Sequence, residues 1–340
     1  MNPSTQREMD PVYSASGLKA VITARIRPDL ERIEAEIQQH LDSSVPLIGV
    51  VGSHIIRSGG KRLRPLLMIL SARMCGYQGR GDAALAVVFE FLHAASLLHD
   101  DVVDNAEVRR KQPAANTIWG NPAAVLVGDF LYSKSILMTV GHGNPRILEV
   151  LTDTTTKMAE GEVLQLIHAD DLELDEAAYL EVIIRKTAVL ISAACRIGAI
   201  FGGADSSREQ ALYRYGHHLG IAFQLIDDLL DYTGSATELG KPVGNDLQEG
   251  KATLPLIYAM ANADEADRVR LRTRFSADRI DEQDFRTVRQ IVELRGGLDY
   301  TRRQAVHHLT EAKAALSVFP DQPSKETLQM IADYVLHRRV

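Results

Sequence analysis

Two five-residue aspartate motifs lie inside apolar stretches of this 340-residue chain. Asp100-Asp101-Val102-Val103-Asp104 and Asp227-Asp228-Leu229-Leu230-Asp231 both read D-D-x-x-D. In a helix, the first and last aspartates of such a motif are four residues apart and share one face, where like charges repel. Burying unpaired carboxylates costs still more free energy. Because ligand sets made only of oxygen suit Mg²⁺, the two motifs predict two carboxylate clusters that bind this ion.

Basic residues accompany the motifs in loops and at helix ends. They are Lys61, Arg62 and Arg64; Arg109, Arg110 and Lys111; Lys241 and Lys251; and Lys186 within an apolar helix. Each set alone is typical of a solvated surface. Next to carboxylates that bind Mg²⁺, however, arginine and lysine favour the binding of a polyphosphate. We therefore expect a diphosphate site.

Composition excludes several classes of function. The net charge of −7 argues against a nucleic-acid binder, whose surface would be basic. Cys75 and Cys195 are far apart in apolar segments, which favours free thiols over a disulfide or a zinc site. Residues 1–16 are polar and lack the apolar core of a signal peptide. The apolar run 187–203 is interrupted by Arg196, so we expect no membrane span and a cytoplasmic protein.

Apolar residues recur at helical spacing along most of the chain, and no stretch alternates convincingly as a strand. The pattern predicts an all-α single domain, 1–340, with residues 1–16 flexible and 264–340 forming peripheral helices. We expect helices at 22–41, 65–75, 82–104, 123–139, 147–169 and 177–201, with loops at 52–65, 105–122 and 234–250. Pro28 should break or kink the first helix. Ser206-x-x-Glu209 should cap the helix that carries the second motif, and Pro255 should open another.

The chain resembles the trans-isoprenyl diphosphate synthases. The residues that carry the resemblance are Gly59-Gly60-Lys61-Arg62-Leu63-Arg64-Pro65, the first D-D-x-x-D with Arg109-Arg110, Lys186-Thr187, Gly220-x-x-Phe223-Gln224-x-x-Asp227-Asp228-x-x-Asp231, and Lys241. This ordered set is far more specific than any one member. The resemblance implies an isoprenoid synthase-type bundle of antiparallel helices around a central cavity, and a homodimer.

The resemblance also assigns roles to matching positions. Asp100, Asp101 and Asp104 would hold Mg²⁺ against an allylic diphosphate, and Asp227, Asp228 and Asp231 would hold a further Mg²⁺ from the opposite wall. Arg109, Lys186 and Lys241 would contact the allylic diphosphate. Lys61, Arg64, His93 and Arg110 would bind isopentenyl diphosphate, while Thr187 and Gln224 would lie near the reacting carbons. The implied reaction is ionisation of the allylic substrate, condensation with isopentenyl diphosphate and loss of a proton.

Small residues precede the first motif and bear on product length. Ser96 is one helical turn before Asp100, with Ala94 and Ala95 beside it. Short-chain members of the family often place aromatic rings here, so small residues favour an elongation tunnel and a long product of the octaprenyl type. Close helix packing is the alternative explanation of Ala-Ala-Ser, and a geranylgeranyl or other shorter product is the alternative to a long one. The tunnel floor would lie deeper, at Phe91, Leu92 or the helix 131–138.

Three other classes of protein compete with this interpretation. His99-Asp100 matches the His-Asp pair of metal-dependent phosphohydrolases, with His54, His93 or His168 as further ligands. A regulatory subunit of a two-component prenyl synthase is a second alternative, although such partners lose the aspartate or basic residues. Terpene cyclases share the ionisation step, but their second motif mixes Asn, Ser or Thr with Glu. Phosphate release without isopentenyl diphosphate would indicate a phosphohydrolase. Activity of the purified chain alone would exclude a regulatory subunit.

Overall fold

A computed structural model describes residues 15–234, 244–275 and 280–337, and these residues fold almost entirely into helices. The long helices are α1 (Ala15–Leu41), α2 (Pro46–Arg57), α3 (Leu63–Met74), α4 (Asp82–Val103), α6 (Asn121–Gly141), α7 (Pro145–Ile167), α9 (Val189–Phe201) and α10 (Ser206–Thr233). Shorter helices between them are α5 (Ala115–Trp119) and α8 (Glu176–Ile183). The C-terminal part contains α11 (Asn245–Gln248), α12 (Leu254–Asn262), α13 (Glu265–Phe275), α14 (Glu282–Leu294), α15 (Gly297–Ala315) and α16 (Pro323–His337). The all-α prediction is confirmed.

Two buried clusters form the core of the bundle. The first surrounds α10 and includes Leu225, Ile226 and Leu229. The second surrounds α4 and includes Phe89, Phe91 and Leu98. Since each cluster contains one of the two helices that carry an aspartate motif, each motif is anchored in its own part of the core.

The first helix continues through Pro28, so the expected break there is wrong. Ile22 and Ile26 pack into the α10 cluster, whereas Ile33 and Ile37 pack into the α4 cluster. Burial of apolar side chains on both sides of the proline outweighs the loss of one backbone hydrogen bond.

Residues 177–201 do not form one uniform helix. Between α8 and α9 the backbone widens into a π-helical turn, Ile184–Ala188, which contains Lys186 and Thr187. Such turns are rare and often lie at functional sites. Hydrophobic spacing predicts the helical run but not this local change in its winding.

Several local boundaries differ from expectation. Residues 105–122 contain a two-stranded antiparallel hairpin, β1 (Val108–Arg109) and β2 (Gln112–Pro113), in which Val108 lies opposite Pro113. Asp205, not Ser206, caps α10, because its side chain accepts a hydrogen bond from the Arg208 N–H at 2.9 Å. Helix α2 occupies part of the expected loop 52–65. The proline start at Leu254–Asn262 is confirmed.

The segment 264–337 is not wholly peripheral, which corrects the expectation for 264–340. Ala305, Leu309 and Ala312 on α15 are buried in the α10 cluster, as are Leu328 and Ile331 on α16. The many charged residues in this segment hide its apolar stripe when the segment is judged by composition alone.

By length and composition alone, α4 and α6 are apolar enough to cross a membrane. In α4, 72% of the apolar window is buried inside the protein, and in α6 the share is 39%. Helix α4 is thus a core helix, while α6 leaves an apolar face uncovered. Cys75 and Cys195 are free thiols, as expected.

Candidate active site

The three aspartates of the first motif differ in their surroundings at the end of α4. Asp101 is fully buried and accepts a hydrogen bond from Nε of Arg109, which the β-hairpin presents. Burial raises the pKa of Asp101, and the charge of Arg109 opposes that shift. Asp100 is half-buried and Asp104 is at the surface. Burial likewise raises the pKa of Asp100, against the charge of Lys186.

Two lysines from other elements face this motif. Nζ of Lys186 lies 3.9 Å from Oδ2 of Asp100 and 2.7 Å from Oε2 of Glu162 on α7. Nζ of Lys251 lies 3.6 Å from Oδ2 of Asp104. Because the two lysines sit at the first and last carboxylates of the motif, they enclose the same helix face from different elements.

The second motif lies on α10 and carries its own hydrogen-bond network. Asp228 is 2% exposed and accepts hydrogen bonds from the Tyr179 hydroxyl and from Nε2 of Gln224, the latter at 2.9 Å. Burial raises the pKa of Asp228 to about 7, with Tyr179 and Gln224 opposing the shift and Asp227 adding to it. The Thr187 hydroxyl donates to Oε1 of Gln224 at 3.1 Å, so the network continues to the π turn.

Asp231, the third member, supports the backbone after α10. It is 1% exposed, and its carboxylate accepts hydrogen bonds from the N–H groups of Asn245 at 3.3 Å and Asp246 at 3.2 Å. The predicted metal ligand therefore also holds the start of α11.

Two glycines position the π turn by close backbone contact. A Cβ added at Gly161 on α7 would lie 2.7 Å from the backbone nitrogen of Lys186. A Cβ added at Gly220 on α10 would lie 2.5 Å from Cα of Ala188. No side chain fits at either place, so α7 and α10 clamp the turn that carries Lys186 and Thr187.

The cations after the glycine loop gather near the middle of α4. Arg64 is half-buried, and its Nε atom makes no hydrogen bond within the described residues. Burial lowers the pKa of Arg64 to about 10, with Arg110 adding to the shift and Glu90 opposing it. The pKa of His93 is far below its ordinary value because of burial and the charges of Arg64 and Arg110. The structure thus brings Arg64, His93 and Arg110 together, as the resemblance implies.

Lys61 is the exposed member of this group. Its ammonium donates to the hydroxyl of Tyr334 at 3.1 Å and lies 5.0 Å from the centre of that ring. The C-terminal helix α16 therefore contacts the glycine loop. Lys241, which the resemblance places at the allylic diphosphate, lies outside the described residues, as do residues 1–14.

The carboxylates suit a divalent cation whose coordination shell is completed by a bound ligand. Oδ2 of Asp101 is buried and has no hydrogen-bond partner in the described structure. The oxygen-only donor set matches the preference of Mg²⁺. Across residues 15–234, 244–275 and 280–337, no three acidic, histidine or cysteine side chains stand close enough to hold a metal by themselves. The geometry fits a cation that is held jointly by protein carboxylates and a bound phosphate.

Sequence reasoning did not select three side chains that complete the site: Glu162, Tyr179 and Glu90. Glu162 directly follows Gly161, the glycine that contacts the π turn. A glycine inside a helical pattern is only a weak sign of such a close contact. Tyr179 and Glu90 belong to ordinary helical patterns, and only the packing of distant segments brings them to the site.

His99 does not join other histidines. Its Nε2 atom lies 3.2 Å from the carbonyl oxygen of Val125 and 3.3 Å from Oδ1 of Asp129, both on α6. A phosphohydrolase would need further histidine ligands around it. The contacts of His99 instead fix α6 against α4.

Two cavities adjoin the π turn. One of about 160 Å³ is lined by Lys186, Thr187, Gln224, Asp228 and Lys251, the residues of the two networks. A larger one of about 590 Å³ opens on the opposite side of the turn, next to Ile184 and Arg185. Of these two cavities, the smaller contains residues of the aspartate networks and is therefore the candidate site.

Comparison with known proteins agrees with this geometry. A family model described as polyprenyl synthetase matches residues 45–292. The octaprenyl diphosphate synthase of Escherichia coli K12 is 41% identical over 310 residues, which cover 91% of this chain and 96% of the relative. A short chain isoprenyl diphosphate synthase of Methanothermobacter thermautotrophicus is 39% identical over 289 residues, 84% of this chain and 88% of the relative.

A solved structure extends the comparison to three dimensions. The polyprenyl synthase of Caulobacter crescentus CB15, complexed with calcium and isoprenyl diphosphate, superposes with a TM-score of 0.90 at 41% identity. The match covers 94% of this chain and 97% of that one.

An all-α bundle with two D-D-x-x-D motifs and lysines directed between them defines an isoprenoid synthase-type fold. The chain belongs to the polyprenyl synthetase family and is a prenyltransferase.

Proposed function

We propose that the chain is a long-chain trans-polyprenyl diphosphate synthase, which adds isopentenyl diphosphate repeatedly to an allylic diphosphate. One observation carries the proposal: Asp100 and Asp228 are joined across the cleft through Lys186, Thr187 and Gln224. Lys186 faces Asp100, and its neighbour Thr187 binds Gln224, which binds Asp228. The Lys186 ammonium, the Thr187 hydroxyl and the Gln224 amide thus connect the two carboxylate motifs.

The allylic diphosphate would bind between the motifs. Asp100, Asp101 and Asp104 at the end of α4, and Asp227, Asp228 and Asp231 on α10, are the residues that would hold Mg²⁺. Arg109, Lys186 and Lys241 would neutralise the remaining charge of the diphosphate. Mg²⁺ supplies Lewis acidity, which stabilises negative charge on a leaving diphosphate.

Ionisation needs an environment that stabilises both charges formed. The C–O bond of the allylic substrate breaks and its electron pair leaves with the diphosphate, next to Lys186 and Arg109. The carbocation is stabilised by the dipoles of the Gln224 amide and the backbone carbonyls around Lys186 and Thr187. The Thr187–Gln224 hydrogen bond fixes the orientation of that amide, because it occupies Oε1 and leaves Nε2 to Asp228.

Isopentenyl diphosphate would bind through Lys61, Arg64, His93 and Arg110. Its double bond attacks the allylic carbon to form the new C–C bond, and a proton then leaves the adjacent carbon. The family resemblance gives this proton to the released diphosphate. Burial and the charges of Arg64 and Arg110 hold the pKa of His93 well below its ordinary value, which favours a hydrogen-bonding role for its imidazole.

The product chain would extend along α4 away from Asp100. Ala94 and Ala95 are buried, and the Ser96 hydroxyl donates to the carbonyl of His93 at 2.9 Å. No ring stands at these positions. Phe91 is fully buried further down the helix, as is Leu131 on α6, and both are candidates for the floor. This arrangement favours a long product over a geranylgeranyl-length one, although a short chain isoprenyl diphosphate synthase is also similar to this chain.

The proposed enzyme is a cytoplasmic homodimer. An apolar face of α6 is exposed at Leu126 (66%), Leu137 (64%) and Val140 (52%), and α7 adds exposed Leu166 and Ile167. Large uncovered apolar surfaces mark sites of association, and a second copy of the chain is the partner that the family resemblance implies. Free Cys75 and Cys195 fit a reducing compartment.

The test is turnover of isopentenyl diphosphate with allylic primers of several lengths, followed by sizing of the products. Long prenyl products that require Mg²⁺ are expected. Asp100→Ala and Asp227→Ala should abolish turnover with little loss of folding, whereas Asp153→Ala, in an exposed pair with Lys157, should not. Wild-type rates in either motif variant would contradict the metal roles. Phosphate release without isopentenyl diphosphate would favour a phosphohydrolase.

A further inference from the structure

Glu90 is a buried carboxylate inside a cluster of arginines. It is 6% exposed and lies on α4, ten residues before Asp100. Nη1 of Arg62 donates to its Oε1 at 2.8 Å, while Nε of Arg62 donates to Oε1 of Glu34 at 2.6 Å. Arg62 is therefore bonded to carboxylates on two helices, α1 and α4, and is itself 7% exposed.

The glycine loop passes directly over this carboxylate. A Cβ added at Gly60 would lie 2.8 Å from Nη1 of Arg62, 3.4 Å from Oε1 of Glu90 and 3.5 Å from Nη1 of Arg110. Two guanidinium groups and one carboxylate thus converge on a single backbone position. Arg62 also has a left-handed backbone (φ 49°) at the start of α3, so its side-chain contacts maintain a turn that its residue type disfavours.

An anion at this place opposes the binding of another anion, so its presence requires a reason. Arg62 donates to two carboxylates through Nε and Nη1, so its charge is compensated within the protein. Arg64 keeps a buried Nε atom with no partner in the described structure, and it lies within the electrostatic influence of both Glu90 and Arg110. Without a negative charge among them, the three guanidinium groups would repel one another in a poorly solvated site.

We propose that Glu90 is a positioning residue for the acceptor substrate. Through Arg62 it holds the glycine loop, and by its charge it keeps Arg64 and Arg110 close together and directed at the diphosphate of isopentenyl diphosphate. Glu90 itself does not touch the substrate. This inference rests on the proposed function, since it concerns the site that the proposal assigns to isopentenyl diphosphate.

The matched test compares two carboxylate-to-amide changes on the same helix. Glu90→Gln keeps the shape of the side chain and removes its charge. Asp82→Asn removes a fully buried carboxylate from Arg32 and Arg73 at the other end of α4, remote from the arginine cluster. Initial rates are measured against isopentenyl diphosphate and against the allylic primer separately, and thermal melting is recorded for each protein.

For Glu90→Gln we expect the KM for isopentenyl diphosphate to rise about tenfold or more, the loss typical of a charge-assisted hydrogen bond. The KM for the allylic primer should stay unchanged, and kcat should change much less. Glu90→Asp, which keeps the charge on a shorter side chain, should recover part of the affinity. Asp82→Asn should lower the melting temperature and leave both KM values unchanged.

An unchanged KM for isopentenyl diphosphate in folded Glu90→Gln protein would overturn the inference, as would equal rises in both KM values. If Glu90→Gln does not fold, Arg62→Gln, which removes the partner of Glu90, decides by the same selective rise in the KM for isopentenyl diphosphate. Failure of the wild-type protein to consume isopentenyl diphosphate would instead overturn the proposed function, so the two failures are distinguishable.

Discussion

The Tyr179 hydroxyl donates a hydrogen bond to the buried carboxylate of Asp228, the second aspartate of the second motif. Burial disfavours the charged form of Asp228 and raises its pKa to about 7. Tyr179 offsets part of this penalty by donating to the charged form. Tyr179 on α8 thus favours the charged form of a carboxylate on α10, which is the form that can attract a cation.

Replacing this donor should weaken the response to metal. In Tyr179→Phe, Gln224 is the one side-chain donor to Asp228 that remains among the described residues, so the charged form of Asp228 is less stable. We expect a higher Mg²⁺ concentration at half-maximal rate, by about tenfold. Tyr300→Phe is the control, because Tyr300 donates to Glu176 at 2.9 Å outside the two motifs. Equal Mg²⁺ concentrations at half-maximal rate for the two variants would exclude the role assigned to Tyr179.

The glycine clamp on the π turn should not tolerate even one methyl group. In Gly161→Ala or Gly220→Ala the new Cβ meets backbone atoms, so the turn must shift, at a cost of about 1–3 kcal/mol in the free energy of unfolding. Lys186 and Thr187 move with it, and kcat should fall by more than tenfold. Gly49→Ala on α2 meets no atom within 4 Å and should leave kcat unchanged. Melting curves and steady-state rates check both effects, and wild-type kcat in both clamp variants would contradict the role.

A ring at the foot of the first motif should shorten the product. Ser96 is half-buried and Ala95 is 2% exposed, so Ser96→Phe should block the tunnel with less overpacking than Ala95→Phe. Products are sized by chromatography after labelling with isopentenyl diphosphate. The rate of the first condensation serves as the internal control and should be retained in Ser96→Phe. An unchanged product length in both variants would contradict the assignment of the tunnel to this face of α4.

The exposed apolar face of α6 should determine the oligomeric state. Leu126→Glu combined with Leu137→Glu places two charges on the face that we assign to the second subunit, and sedimentation should then show a monomer. Leu294→Glu is the matched control, because Leu294 is 76% exposed on α14 and lies outside that face. A dimer that persists in the double variant would place the interface elsewhere.

His218 and His308 form a pH-dependent contact between α10 and α15. Their Nδ1 atoms are 2.9 Å apart, so one neutral imidazole donates to the other. Burial lowers the pKa of His308 to about 4, and His218, His307 and His217 add to the shift. Glu311 and Arg214 also act on this pair, with opposite effects on the pKa of His218.

The sign of the effect on stability follows from the proton balance. An unfolded histidine has a pKa near 6.5, so between about pH 4 and 6.5 the unfolded chain binds more protons than the folded one. Stability is therefore lost as the pH falls through this window. We expect His308→Gln to flatten the decline of the melting temperature there, and His337→Gln, at the exposed end of α16, to leave it unchanged. Identical pH profiles for all three proteins would argue against the contact.

Much of the fold and of the site can be predicted from the sequence, because the decisive signals are local. A repeated D-D-x-x-D, a glycine-basic loop and helical spacing are each visible over a few residues. The location of Lys186 beside Asp100 then follows from the family resemblance, and the structure brings the two groups within 3.9 Å.

What the sequence could not supply depends on packing between distant segments. The π turn at 184–188 arises where Gly161 and Gly220 approach it, and no spacing rule reports such contact. Glu90 reads as one more residue of an amphipathic helix until Arg62, 28 positions away, is placed against it. The break expected at Pro28 failed for a similar reason, since a local propensity was outweighed by burial on both sides.

Helices α1, α3 and α9 each contribute side chains to both buried clusters, whereas α4 belongs to one cluster and α10 to the other. The helices that carry the two aspartate motifs are therefore packed in separate clusters, and α1, α3 and α9 connect these clusters. The distance between the two carboxylate motifs therefore depends on α1, α3 and α9, while each motif keeps its own hydrogen-bond network.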